Sequence, residues 1–171
     1  MAIEIKAPNP VPYDESDWHG YTRIFLGGSI EQDTASQWQK RVVSMFKNTS
    51  DDVLLLNPRR DAWDATWKNV ASNKKFREQV EWELDSFERS QARLIYFDPN
   101  TKAPISLLEL GRFSDSRTYV VCPKGFWRKG NVDIVCQRYG VKQFPSLKQA
   151  VEAIKKDFNI KTKKKKPTKK K

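Results

Sequence analysis

Histidine is almost missing from this chain: His19 is the only one in 171 residues, and it lies near the N-terminus. Without a second, a folded core cannot assemble a Ser-His-Asp or Cys-His site, and no His/Cys cluster has the spacing of metal ligands. No metal and no cofactor are therefore expected. Cysteine is nearly as scarce. Cys122 and Cys136 have no CxxC partner, are too few for a disulfide framework, and sit in apolar contexts ("YVVCP", "DIVCQ"). They read as core rather than catalytic. Long apolar runs are also lacking, none approaching the roughly 20 residues of a membrane span. The opening "MAIEIKAPNPVPYDESD" does not follow the basic-then-apolar plan of a signal peptide. These absences together favour a reduced, cytoplasmic protein with no membrane contact.

Positive charge is in excess, at net +11, but it is concentrated at one end. The tail "KTKKKKPTKKK" carries eight lysines and no acid, and without it the rest of the chain has a net charge near +3. The basicity belongs to an appendage rather than to a folded binding face. Such a tail is either a solubilising extension, a weak and salt-sensitive contact for nucleic acid, or a nuclear address. The remainder has ample core material: 38% hydrophobic residues, 12% aromatics and six tryptophans fit one domain with a substantial interior.

Residues 1–19, rich in proline and acids, read as an extended lead-in; 20–159 read as the domain; 160–171 read as a disordered lysine-rich tail. Within the domain, short apolar runs alternate with amphipathic helical patterns. "YTRIFLGG", "DVLLLNP", "ARLIYFDP" and "RTYVVCP" are strand-like, and "VKQFP" would be a short edge strand. "TASQWQKRVVSMF" has helical spacing with Thr34 as a candidate N-cap. "NKKFREQVEWELDSFERS" is a long helix with Phe76, Val80, Leu84 and Phe87 as its expected inner stripe. "PISLLELGRFSD" and "SLKQAVEAIKKDF" are further helices, the last capped by Ser146, while "NVDIVCQRYG" is ambiguous between helix and strand. Strand–helix alternation predicts an α/β fold: a single doubly wound, flavodoxin/Rossmann-like domain with a parallel five-stranded sheet and helices on both faces.

Ligands of such sheets bind beyond the carboxyl ends of the strands. That singles out Gly27, Gly28 and Ser29; Asn57 to Trp63; Asp98 to Glu109; and Pro123 to Asn131. "GGSIE" lacks the third glycine of a dinucleotide fingerprint and the Gly-Lys-Ser/Thr of a phosphate loop. It either lets backbone N–H groups approach a sugar or phosphate, or is an ordinary strand-to-helix turn. "NPRRDAWDATW" combines arginines, aspartates and two tryptophans. These would stack on a nucleobase or sugar and hydrogen-bond its edge, or else pack the loop down with the charges solvated. With histidine unusable, acid–base and nucleophilic work falls to carboxylates, tyrosines or lysines. Asp98 and Glu109 are the best-placed acids, with Glu81, Glu83 and Asp85 on the preceding helix. Paired carboxylates suit glycosyl chemistry, one bonding to or stabilising the oxocarbenium-like carbon while the other handles the leaving-group proton.

Across residues 21–145, "IFLGGSIE", "NPRRDAWDATW", "VEWELDSFERS", "ARLIYFDP", "ISLLELG" and "GFWRKGNVDIVC" resemble the nucleoside 2-deoxyribosyltransferase family. The resemblance extends to its relatives, the 2'-deoxynucleoside 5'-monophosphate N-glycosidases. It implies that Glu109 of "ELG" is the nucleophile at C1' of deoxyribose, and that Asp85 and Asp98 contact the base and tune proton delivery. It further implies that "FLGG" forms the sugar pocket and that Asn131 reaches a neighbouring subunit's site, hence a homo-oligomer. Arg59 or Arg60 would bind a 5'-phosphate if the substrate is a deoxynucleotide rather than a deoxynucleoside. Two departures stand out: Phe25 replaces a tyrosine usual in the family, and "NTKAPIS" replaces a usual aspartate. They define the alternative reading, a catalytically inactive nucleotide-binding module with a nucleic-acid-binding tail.

Overall fold

The computed structural model describes residues 1–31, 34–61 and 66–163. Six strands form one sheet: β1 (Ala2–Lys6), β2 (Thr22–Gly28), β3 (Val53–Asn57), β4 (Ala92–Tyr96), β5 (Thr118–Val121) and β6 (Lys142–Phe144). Five helices connect them: α1 (Trp38–Phe46), α2 (Lys74–Arg89), α3 (Pro104–Arg112), α4 (Lys129–Tyr139) and α5 (Leu147–Asp157). The strand order is β1-β3-β2-β4-β5-β6, with every pairing parallel. This is the expected doubly wound α/β fold with one strand more than the five predicted. The "NVDIVCQRYG" segment is helical, as α4.

The additional strand lies in the supposed lead-in, so residues 1–19 are not simply extended. "AIEIK" alternates apolar and polar residues, and Ile3 and Ile5 pack toward the sheet interior. Only after it do the prolines stop the strand. The next residues lie over α2: Trp82 donates its Nε1–H to the Asn9 carbonyl at 2.8 Å, and the hydroxyls of Tyr13 and Ser86 are 3.0 Å apart. The other end of the domain also needs correction. Ile160 is buried, Thr162 bridges Thr49, and Lys163 donates its backbone N–H to Asn48 at 2.8 Å. The chain therefore leaves the domain beside the amino ends of the strands, opposite the ligand crevice. Lys164–Lys171, most of the lysine tail, lie outside the described residues.

Strands β3 and β4 are buried at every position, as parallel strands covered on both faces must be. Their alternate residues feed two cores. Ile24, Leu26, Leu55 and Leu94 pack under α1 and α5, against Trp38, Val42, Val151 and Ile154. Phe25, Leu54, Leu56 and Ile95 pack under α2, α3 and α4, against Phe87, Leu110 and Val132. Helix α1 begins at Trp38 without a side-chain cap, so Thr34 does not serve as its N-cap. Asn73 caps α2, and Ser146 caps α5 as the sequence suggests.

Helices on opposite faces make β2 and β4 the strands between which the winding reverses, and their ends meet tightly. Gly28 has φ +130, and a Cβ there would lie 2.2 Å from the Tyr96 carbonyl oxygen of β4. A Cβ on Gly27 would lie 2.8 Å from the Phe87 ring. Gly28→Ala is expected to destabilise the fold by on the order of 3 kcal/mol or more, because backbone strain and overpacking both oppose it. Urea unfolding of the variant measures this, and a loss below about 1 kcal/mol would contradict the close approach.

Candidate active site

The crevice at the carboxyl ends of β2 and β4 is tied together by polar groups. Ser29 is buried; its Oγ accepts the Asp98 N–H at 2.9 Å and lies 2.7 Å from the Thr101 hydroxyl. Its carbonyl accepts the Trp38 indole N–H at 2.9 Å. Asp98 is likewise buried. It accepts the backbone N–H and hydroxyl of Ser36 at 2.9 and 2.8 Å, and the backbone N–H of Asn100 at 3.0 Å. Burial pushes the Asp98 carboxyl up, but those donors outweigh it and hold the group below the usual carboxylate range. Across the same crevice, Glu31 accepts the N–H groups of Lys102 and Ala103 that lead into α3. Each loop thus sends a carboxylate to the amides of the other, a mutual cap consistent with helix N-terminal electrostatics.

Glu109 is only 9% exposed, on the inner side of α3. Burial, and then the charge of Glu83, push its carboxyl well above the ordinary range. Glu83 belongs to α2 and is itself pushed up to about 7 by burial, against the opposing effects of Gln79 and Arg60. Gln79 is buried and donates its Nε2–H groups to Glu83 Oε1 at 2.6 Å and to the Pro58 carbonyl at 2.9 Å. Its Oε1 accepts Arg60 Nε–H. Arg60 also reaches Glu78 at 3.4 Å and covers the Trp67 ring at 5.1 Å. Burial raises both carboxyls, and the charge of Glu83 on α2 acts on Glu109 of α3, a pattern typical of acid–base and nucleophilic sites.

The sequence-selected residues are placed unevenly around this pair. Asp85 is exposed and points away from it, two residues and therefore about 200° around α2 from Glu83. It lines a shallow surface depression with Arg77, Glu81 and Trp82, so α2 presents Glu83 rather than Asp85 to Glu109. The expected inner stripe is displaced in the same way: Leu84 is 43% exposed, whereas Gln79, Ser86 and Phe87 are buried. Phe25 is fully buried with its ring 4.2 Å from that of Phe87, making it a floor of the core rather than a crevice side chain. Asn57 donates to Glu4 at 2.7 Å and accepts the Arg59 N–H at 3.0 Å, joining β3 to the added strand. Arg59 donates to the Ile30 carbonyl at 3.3 Å. Trp63 lies outside the described residues.

Asn131 is exposed in a groove of about 310 Å³ between α3 and α4, with Leu107, Leu110, Gly111 and Val135. Glu109 does not line this groove. Cys122 and Cys136 are buried, and burial pushes their thiols up to about 12 and about 11. They are protonated at neutral pH and are poor nucleophiles.

A doubly wound parallel sheet, with polar loops at the carboxyl ends of β2 and β4, defines the chain as an α/β protein of the Rossmann-like class. The chain belongs to the family described as "Nucleoside 2-deoxyribosyltransferase like", whose profile matches residues 21–126. That membership implies a glycosyl-transferase-like enzyme with nucleoside deoxyribosyltransferase-like activity. The match includes Arg60, Gln79, Glu83 and Glu109, and ends before Asn131. No curated protein matches the chain. Among the described residues, no helix is long and apolar enough to cross a membrane.

Proposed function

We propose that the protein cleaves the N-glycosidic bond of a 2'-deoxynucleoside or its 5'-monophosphate through a covalent glycosyl-Glu109 intermediate. The observation that carries this reading is the buried Glu109 of α3, its carboxyl raised by burial and then by the charge of Glu83, itself raised by burial on α2. Such a pair holds one proton near neutral pH. As C1'–N breaks, a Glu109 oxygen bonds to C1' and the pair's proton goes to the leaving base. Glu83 thereby replaces Asp85 and Asp98 as the proton-handling acid. Asp98 and Ser29 instead brace the crevice floor, while Gly27 and Gly28 permit the close approach of the Phe87 ring and the Tyr96 backbone beside it. A second base as acceptor gives transfer, and water gives hydrolysis. Asn131 would serve the site of a second copy, in a homo-oligomer. The lysine tail, leaving from the far end of the sheet, would contact nucleic acid independently of catalysis.

Of the two substrate forms, the deoxynucleoside is favoured. Arg60 is held by Gln79 and Glu78, and Glu31 already occupies the amides leading into α3. A 5'-phosphate set against Glu31 would meet a like charge, which is costly. Chromatography of the products from a deoxynucleoside and its 5'-monophosphate, each with and without a second free base, tests the proposal. The deoxynucleoside should release its base at least about tenfold faster at equal concentration. Release of base from neither compound would sink the proposed activity, and faster release from the monophosphate would reverse the substrate preference.

A further inference from the structure

The carboxylate pair is not supported symmetrically. Gln79 spends both N–H bonds of its amide nitrogen on acceptors, Pro58 O and Glu83 Oε1. Its oxygen must then face a donor, which Arg60 Nε–H supplies. A flipped amide would set oxygen against a carbonyl and a carboxylate and nitrogen against a guanidinium, so the orientation is locked. Arg60 is locked in turn by Glu78 and by the Trp67 ring. The groups acting on Glu83 are therefore Arg60 from the segment after β3 and Gln79 from its own helix, and Glu83 in turn acts on Glu109 of α3. Gln79 and Arg60 favour its ionised form. Glu109 experiences only burial and the charge of Glu83.

We propose that Gln79 and Arg60 are positioning residues that hold Glu83 as the charged member of the pair. The shared proton then rests on Glu109 before substrate binds, and Glu83 is left as the base for the second half of the reaction. This rests on the glycosyl-Glu109 reading and adds to it a direction for the proton. In the first half, Glu83 takes the proton from Glu109 and passes it to the leaving base as a Glu109 oxygen bonds to C1' and the C1'–N bond breaks. What remains is an uncharged Glu109 ester beside a Glu83 carboxylate, the state that Gln79 and Arg60 stabilise. In the second half, Glu83 takes a proton from water or from an acceptor base. The oxygen or nitrogen so freed bonds to C1', the C1'–Glu109 bond breaks, and the pair again holds one proton and one charge. Gln79 and Arg60 touch no reacting atom and act through Glu83.

The test is to titrate the Glu83 carboxyl by ¹³C NMR and to measure the pH dependence of intermediate breakdown in the unaltered chain, Gln79→Leu and Arg60→Gln. Loss of a hydrogen bond to a charged group should move the Glu83 midpoint up by about one to two pH units in Gln79→Leu. The acid limb of breakdown should rise with it, so that glycosyl-enzyme accumulates below neutral pH and is detected by intact mass. Arg60→Gln should shift both in the same direction, and Arg60→Lys should restore part of the shift. Because Gln79 is buried, Arg60→Gln keeps the test available if Gln79→Leu does not fold. An unmoved Glu83 midpoint in the folded variants overturns the proposal, as does a moved midpoint with an unmoved breakdown profile. Absence of N-glycosidic turnover in the unaltered chain would instead count against the glycosyl-Glu109 reading, while the titration still reports on the positioning.

Discussion

Glu109→Gln is expected to lower base release by about 10⁴-fold or more while leaving the fold intact, because an amide cannot form the glycosyl ester. Glutamine has nearly the same volume, so neither the packing of α3 nor the neighbouring core should change. Two measurements decide the matter: single-turnover base release, and intact mass after brief exposure to substrate. The unaltered chain should show a deoxyribosyl adduct, and Glu109→Gln should show none. Retention of more than about a tenth of the rate would remove Glu109 from the nucleophile's role, since no substitute nucleophile supports so much turnover.

The fold was legible because its signals are local. "DVLLLNP" and "ARLIYFDP" are continuous apolar runs, as strands buried on both faces require, and parallel order follows from the helical patterns between them. Strand β1 escaped notice because it is five residues long and is followed by prolines and acids that dominate its surroundings. Its partner β3 is about 50 residues away in sequence, and such a pairing has no local signature. In the site, Glu109 could be found because one acid in an apolar helix after a strand is conspicuous. Its partner could not be found in the same way. Helix α2 carries acids at Glu78, Glu81, Glu83, Asp85 and Glu88, and placing the inner stripe through Leu84 turns the wrong one inward. The stripe of Gln79, Glu83 and Phe87, each four residues from the next, was the available signal. Reading it meant accepting polar residues on a buried face, which is reasonable only once Arg60 and Pro58 are known to satisfy Gln79. Periodicity finds faces built from apolar side chains, whereas a face with buried polar side chains is built against that rule.

Glu83→Gln should separate activity from stability in opposite directions. Turnover should fall by about 10²- to 10⁴-fold, the usual cost of losing a general acid–base group. Stability at alkaline pH should rise. A carboxyl raised in the folded state binds its proton more tightly there than in the unfolded chain. The fold consequently loses stability as pH climbs from the ordinary glutamate value of 4.5 to about 7. That interval corresponds to at most about 3 kcal/mol, less whatever solvent recovers for the partly exposed side chain. Glutamine removes the penalty, keeps the shape and still accepts the Gln79 N–H. At pH 8 the variant should melt roughly 6–12 °C above the unaltered chain if the whole penalty is relieved. At pH 4.5, where Glu83 is protonated in the fold, the two curves should converge. A variant equally stable at both pH values relative to the parent would mean that Glu83 carries no strained charge. A variant less stable at pH 8 would mean that its carboxylate holds the fold together. The expected inversion, a more stable protein with a slower reaction, is the signature of a charge kept buried for its chemistry.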